Sequence, residues 1–128
     1  MRYLALDVGD RTIGLAIGEE TFGLARPLRT IRRRGVAADL SAIREIVERE
    51  DVGALVIGLP LTLAGDSGQQ AQRVRRFAES ARALNKPVEL VDERFTTAEA
   101  AQRGAEDLDA GAATVLLEDF FSGRHRRR

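Results

Sequence analysis

The period of apolar residues changes several times along the chain. Residues 3–8 (YLALDV) and 13–17 (IGLAI) are apolar and partly β-branched, and the turn-like Gly9-Asp10-Arg11-Thr12 between them predicts a hairpin. A third short strand over roughly Thr21 to Ala25, ending before Pro27, completes an antiparallel meander. Val36, Leu40, Ile43, Ile46 and Val47 then recur at helical spacing, which predicts an amphipathic helix up to about Glu50. ALVIGL at 54–59 is nearly continuous in apolar residues, as in a strand covered on both faces. Ser67 and Gln70 form a capping pair that opens a second helix with Ala71, Val74, Phe77, Ala78, Ala81 and Leu84 on its core face, and Pro87 stops it. Val88 to Val91 is a fifth strand, Thr96 with Glu99 is a further capping-box pattern, and a last helix runs from about Ala110 to Phe121.

The resulting order, βββαβαβαα, leaves little topological freedom. Strand–helix–strand units are parallel, whereas strands joined by short turns are antiparallel. With strand 1 central, the sheet order becomes 3-2-1-4-5, a five-stranded mixed sheet with helices on both faces, which is a ribonuclease-H-like α/β arrangement. The switch in strand order lies between strands 1 and 4, where a ligand crevice is expected at the strand ends. Asp7 and Gly58 fall there.

Composition narrows the chemistry. At 128 residues the chain reads as a single domain over 1–123, followed by a basic tail, Arg124-His125-Arg126-Arg127-Arg128. With no cysteine, disulfides and Cys-ligated zinc are excluded, and the cytoplasm is the expected compartment. No signal peptide or apolar span directs the chain to a membrane. The net charge is zero, but residues 1–123 carry 16 basic against 20 acidic side chains. Only local clusters, Arg32-Arg33-Arg34 and Arg73 with Arg75 and Arg76, offer phosphate contacts. The sole histidine is His125 in the tail, so a Ser-His-Asp triad or a His-rich zinc site cannot be assembled from the body.

Carboxylates remain. Asp7 ends an apolar strand, where a lone charge is costly unless something compensates it. Asp92 and Glu93 end strand 5, and because alternate side chains face opposite ways, one of them, Glu93, is expected to share the crevice with Asp7. Asp109 lies one turn before Ala113 on the sheet-facing stripe of the last helix. Each has a plainer reading: Asp7 as a turn former, Glu93 as a surface charge paired with Arg94, Asp109 as a helix cap. Converging, the three suit a hard divalent ion, Mg²⁺ or Mn²⁺, and metal-assisted phosphodiester cleavage. Arg11, Thr12, Gly58 and Arg94 flank the acids as candidate substrate contacts.

The start DVGDRTIGLAIG, ARPL at 25–28, GLPL at 58–61, DER at 92–94 and the DAGAATVLLEDFF helix together resemble the YqgF/RuvX family over nearly the whole chain. The resemblance implies a ribonuclease-H-like, metal-dependent nuclease that matures the 5′ end of pre-16S ribosomal RNA. Its acidic triad falls on Asp7, Glu93 and Asp109. Some members are instead described as Holliday junction resolvases, by likeness to RuvC, and a symmetric junction calls for a homodimer. The partner is then structured RNA or branched DNA. Two further classes stay open on the residues: an ATPase resembling actin-like kinases, from Asp7, Gly9, Arg11-Thr12 and Gly14, and a nonenzymatic RNA-binding assembly factor.

Overall fold

The computed structural model describes residues 1–60, 68–93 and 108–123, with Leu108 and Asp109 placed by backbone alone. The loop from Leu61, Ser67, Arg94, the Thr96 and Glu99 pattern and the basic tail lie outside the described residues. The elements are β1 (Arg2–Val8), β2 (Thr12–Glu19), β3 (Leu24–Arg32), α1 (Val36–Arg49), β4 (Ala54–Pro60), α2 (Gln69–Ala81), β5 (Val88–Glu93) and α3 (Leu108–Ser122). The sheet order is β3-β2-β1-β4-β5, as expected. β1–β2 and β2–β3 pair antiparallel, and β1–β4 and β4–β5 pair parallel.

Alternation along the strands sorts the interior into two layers. Leu4, Leu6 and Val8 of β1 and Leu55, Ile57 and Leu59 of β4 turn to one side, where Ile43 and Ile46 of α1 and Val74 and Phe77 of α2 cover them. Full burial of such a side chain contributes about 1.5–3 kcal/mol relative to leaving it in water. The opposite parity, Tyr3, Ala5, Ala16, Ala54 and Val56, meets Ala113, Leu116, Leu117 and Phe120 of α3. This second face is built from small residues, so the helix packs close. A Cβ on Gly18 would stand 2.5 Å from the Leu24 carbonyl oxygen and 2.9 Å from the Phe121 ring. α3 runs antiparallel to β1: Phe120 and Phe121 near its end pack on Tyr3 at centroid distances of 5.3 and 5.7 Å, while Leu116, a turn earlier, reaches Gly58 at the far end of β4.

Two local expectations are corrected. The third strand is Leu24–Arg32 rather than Thr21 to Ala25, and it continues through Pro27. β3 is an edge strand, and Pro27 sits where the register with β2 shifts between Leu15 and Ala16, so the missing N–H breaks no regular ladder. Thr21 to Gly23 form the turn instead, with Gly23 at φ 66°. The second helix is capped at Gly68 without a side-chain hydrogen bond, and Gln70 directs its amide elsewhere, to Val8 O. It ends at Ala81, and a 3₁₀ turn, Arg82–Leu84, carries the chain to Asn85 in the left-handed region.

Candidate active site

Register brings two of the three expected acids to one face. Asp7 pairs with Gly14 of β2 and has the parity of Ala5, so it lies on the α3 side of the sheet. In β5, Val91 belongs to the α3-side core, and Glu93 shares its parity. Glu93 is buried, at 6% exposure, while Asp92 is exposed on the other side. The choice between these neighbours therefore follows the alternation of the strand.

Gly58 stands between the two acids. The β1–β4 ladder pairs Leu6 with Ile57, which puts Gly58 next to Asp7, and β4–β5 pairs Gly58 with Val91 and Pro60 with Glu93. A Cβ on Gly58 would touch Glu93 Cγ at 3.5 Å and Leu116 Cδ2 at 3.2 Å. Gly58 is buried, and its lack of a side chain lets Leu116 of α3 and Glu93 pack close to the sheet beside Asp7, with the buried Gly14 flanking Asp7 on its other side. Asp7 and Glu93 stand on strands two apart in the sheet and two residues out of register, a backbone separation of about 12 Å. Both side chains rise from the same face, so their heads can converge above the glycine.

Asp109 lies in the first turn of α3, and the antiparallel course of that helix brings its N-terminal end to the edge of the sheet where β1 and β4 finish. Among the described residues no three metal-ligating side chains come together. The two described acids do fit a hard cation: both are oxygen donors on one face, and Glu93 is withdrawn from water, which a carboxylate tolerates only with compensation.

The backbone that follows Asp7 is fastened from three directions. Gly9 N donates to Thr12 O at 2.9 Å, closing the β1–β2 turn. Gln70 Nε2 donates to Val8 O at 3.0 Å, and Arg33 Nη1 donates to Gly9 O at 3.0 Å. Arg33 is itself fixed: its Nε donates to Asp39 Oδ2 at 3.1 Å, and its guanidinium lies 5.3 Å from the centroid of the Phe77 ring. Asp39, 2% exposed, also accepts from Arg34 N at 2.9 Å. Arg73 joins the outer end of the turn, 3.4 Å from Asp10 and 3.0 Å from Gln70 Oε1. Arg33, Asp39 and Gln70 were not among the expected site residues. The signal for Asp39 lies in the periodicity of α1, where it is in phase with Ile43, Ile46 and Val47, so a charged residue opens the buried stripe.

Of the expected substrate contacts, Arg11 is exposed in the β1–β2 turn, Thr12 starts β2 and Gly58 is buried against Leu116 and Glu93. All three lie at the Asp7 end of the sheet.

A family model described as "RuvX: Holliday junction resolvase" matches residues 1–123. A protein of Anaeromyxobacter sp. (strain Fw109-5) named "Putative pre-16S rRNA nuclease" is 43% identical over 136 residues, covering 98% of this chain and 99% of its own length. A protein of the same name from Moorella thermoacetica is 43% identical over 129 residues, covering 100% of this chain and 84% of its own. Among solved structures, Thermus thermophilus RuvC aligns with a TM-score of 0.62 at 16% identity, over 97% of this chain and 96% of that one. The fowlpox virus resolvase in complex with Holliday junction DNA aligns at 0.60 and 9% identity, over 97% and 99%. At these identities the structural likeness is one of fold.

Proposed function

This chain belongs to the RuvX family, and we propose accordingly that it is a divalent-metal-dependent nuclease that trims the 5′ end of pre-16S ribosomal RNA. The observation that carries the chemistry is the placement of Asp7 and the buried Glu93 on one face of the sheet, with Gly58, which bears no side chain, on the strand between them. Asp7, Glu93 and Asp109 would hold Mg²⁺ or Mn²⁺, whose role when bound is to activate a water and to stabilise the leaving oxygen of a phosphodiester. The protein's part is to hold the acids still and to seat the scissile phosphate. Asp7 is steadied through Val8 and Gly9 by Gln70 and Arg33. The exposed Arg11, with Thr12 beside it at the Asp7 end of the sheet, would meet phosphates of the substrate, and Arg94, next in sequence to Glu93, is a further candidate for that role. Ribosomal RNA as substrate implies a cytoplasmic enzyme; no helix among the described residues is long and apolar enough to cross a membrane.

A resolvase acting on branched DNA is the second reading, favoured by the description of the matching family model. It uses the same acids and adds the need for a homodimer with two sites. Side-by-side assays of the purified chain on a pre-16S fragment and a mobile four-way junction, with and without Mn²⁺, decide between them. Metal-dependent cleavage of the RNA at a discrete position supports the first reading, paired cuts across the junction by a dimer support the second, and binding without cleavage of either rejects both in favour of an assembly factor.

A further inference from the structure

The edge strand of the sheet carries a concentration of charge that neither the core nor the acid site uses. Residues 24–34, which form β3 and the segment after it, hold five arginines and no acid, although residues 1–123 as a whole carry more acidic than basic groups. Arg26, Arg29, Arg32 and Arg34 are exposed, as is Arg11, whose carbonyl accepts the Arg33 N–H at 2.8 Å. Among the described residues none of these five side chains makes an ion pair; Arg33, the one arginine of the row that turns inward, is taken up by Asp39.

Register fixes how the row meets the site. Arg32 pairs with Thr12 and Thr30 with Gly14, while Gly14 pairs with Asp7 on its other side, so Arg32, in phase with Thr30, lies on the acid face two strands from Asp7. Arg29 pairs with Leu15 and Arg26 with Ile17, both of the α1/α2-side core, so past the register shift the arginines pass to the other face and the row wraps the open edge as it leads away from the site. From Arg26 to Arg32 the strand extends roughly 20 Å. That length spans about six phosphates of one strand of a duplex. At the far end lies a groove of about 520 Å³ lined by Arg2, Gly18, Glu19, Phe22, Leu24 and Arg26, with the charge of Glu19 taken up by the N-terminal amine and Arg2. Phe22, 72% exposed, presents an aromatic ring beside those arginines. Guanidinium groups in a row suit a phosphodiester backbone, and an open ring suits a stacked base.

We propose that the β3 edge is a nucleic-acid track: it binds the backbone of the substrate flank, with Arg32 and Arg11 nearest the scissile phosphate, Arg26 and Arg29 on the flank, and Phe22 against a base at its end. The inference rests on the nuclease reading and adds to it the route that the substrate takes away from the acids.

The test measures equilibrium binding of the full chain in EDTA, so that cleavage plays no part, to a pre-16S fragment and a four-way DNA junction. Each is made with arms about 12 base pairs long and again with arms cut to about three. Arg26→Ala/Arg29→Ala should raise Kd about tenfold on a long-armed probe and reduce the slope of log Kobs against log[salt] by nearly two, with little change on short arms. Phe22→Ala should weaken only probes that present an unpaired base beyond the arm. Arg49→Ala/Arg82→Ala removes the same charge from helical surface and should change neither quantity. If the β3 variant and that control shift binding equally, net charge is the cause and the track is refuted. The track is refuted also if the β3 variant keeps the wild-type Kd and slope while Arg73→Ala/Arg76→Ala loses them. Wild-type protein that binds neither probe in a salt-dependent way defeats the nuclease reading itself. The RNA and DNA arms report which backbone the track prefers.

Discussion

Arg33 and Asp39 form a nearly buried ion pair, Nε to Oδ2 3.1 Å, and the same guanidinium donates to the carbonyl of Gly9, two residues after Asp7. A pair so far from water adds little stability merely by existing, but removing one partner strands the other. Its importance here is positional: it converts a long flexible side chain into a fixed strut beneath the turn beside the acid site.

Asp39→Ala should cost about 2–3 kcal/mol in urea unfolding, because it leaves the part-buried Arg33 guanidinium without its counter-ion and the Arg34 N–H without its acceptor. Arg33→Lys should retain most of the stability yet lower kcat more than it raises KM, since a single ammonium cannot serve Asp39 and Gly9 O with the geometry of a guanidinium. A kcat equal to wild type in a folded Arg33→Lys protein would detach the strut from catalysis.

Asp7→Asn and Glu93→Gln should each abolish Mg²⁺- or Mn²⁺-dependent cleavage while leaving nucleic-acid binding in EDTA largely intact. Thermal unfolding with and without Mn²⁺ gives a readout free of substrate. The wild-type Tm should rise with saturating metal and the variants should respond less, since binding to the folded state alone stabilises it. Undiminished cleavage by either variant would remove that residue from the site.

Two glycines should behave differently on gaining a methyl group. At Gly58 the Cβ meets Leu116 Cδ2 at 3.2 Å and Glu93 Cγ at 3.5 Å, contacts that side chains can relieve by shifting, so Gly58→Ala should cost about 1 kcal/mol and reduce metal-dependent activity disproportionately. At Gly18 the Cβ comes within 2.5 Å of a backbone oxygen, so Gly18→Ala should cost about 2–3 kcal/mol, seen in denaturant unfolding, through misfitting of β2 against β3 and α3.

Deleting residues 124–128, with their four arginines, should weaken nucleic-acid binding and flatten its salt dependence, by up to about one unit of slope for each phosphate that the tail no longer neutralises. An unchanged slope would mark the tail as solvated charge.

Much of this architecture was legible in the chain because its signals are periodic. The apolar runs of β1 and β4, each covered on both faces, marked the centre of the sheet, and with the short β1–β2 and β2–β3 turns they led to the observed order. The period of two said that only one of Asp92 and Glu93 shares the face of Asp7, and the structure puts Glu93 on that face. Pro27 misled, because a proline reads as the end of a strand unless the strand is known to lie at an edge, and edge status is a property of the assembled sheet. The strut was hidden for a similar reason. Arg33 sits in a run of three arginines that look alike in one dimension, and only the approach of α1 and α2 turns one of them inward. Gln70 resembled a capping residue because nothing local reveals that Val8 O lies within its reach.

The aromatic contacts of Tyr3 with Phe120 and Phe121 anchor one end of α3, and Asp109 lies near the other, about 16 Å along the axis. A rod pinned at its foot works as a lever: a tilt of about four degrees moves the head by about an ångström, a displacement that can cost a catalytic constellation on the order of a hundredfold in rate. Trimming Tyr3 would then dull the enzyme from the end of α3 opposite the one that carries Asp109.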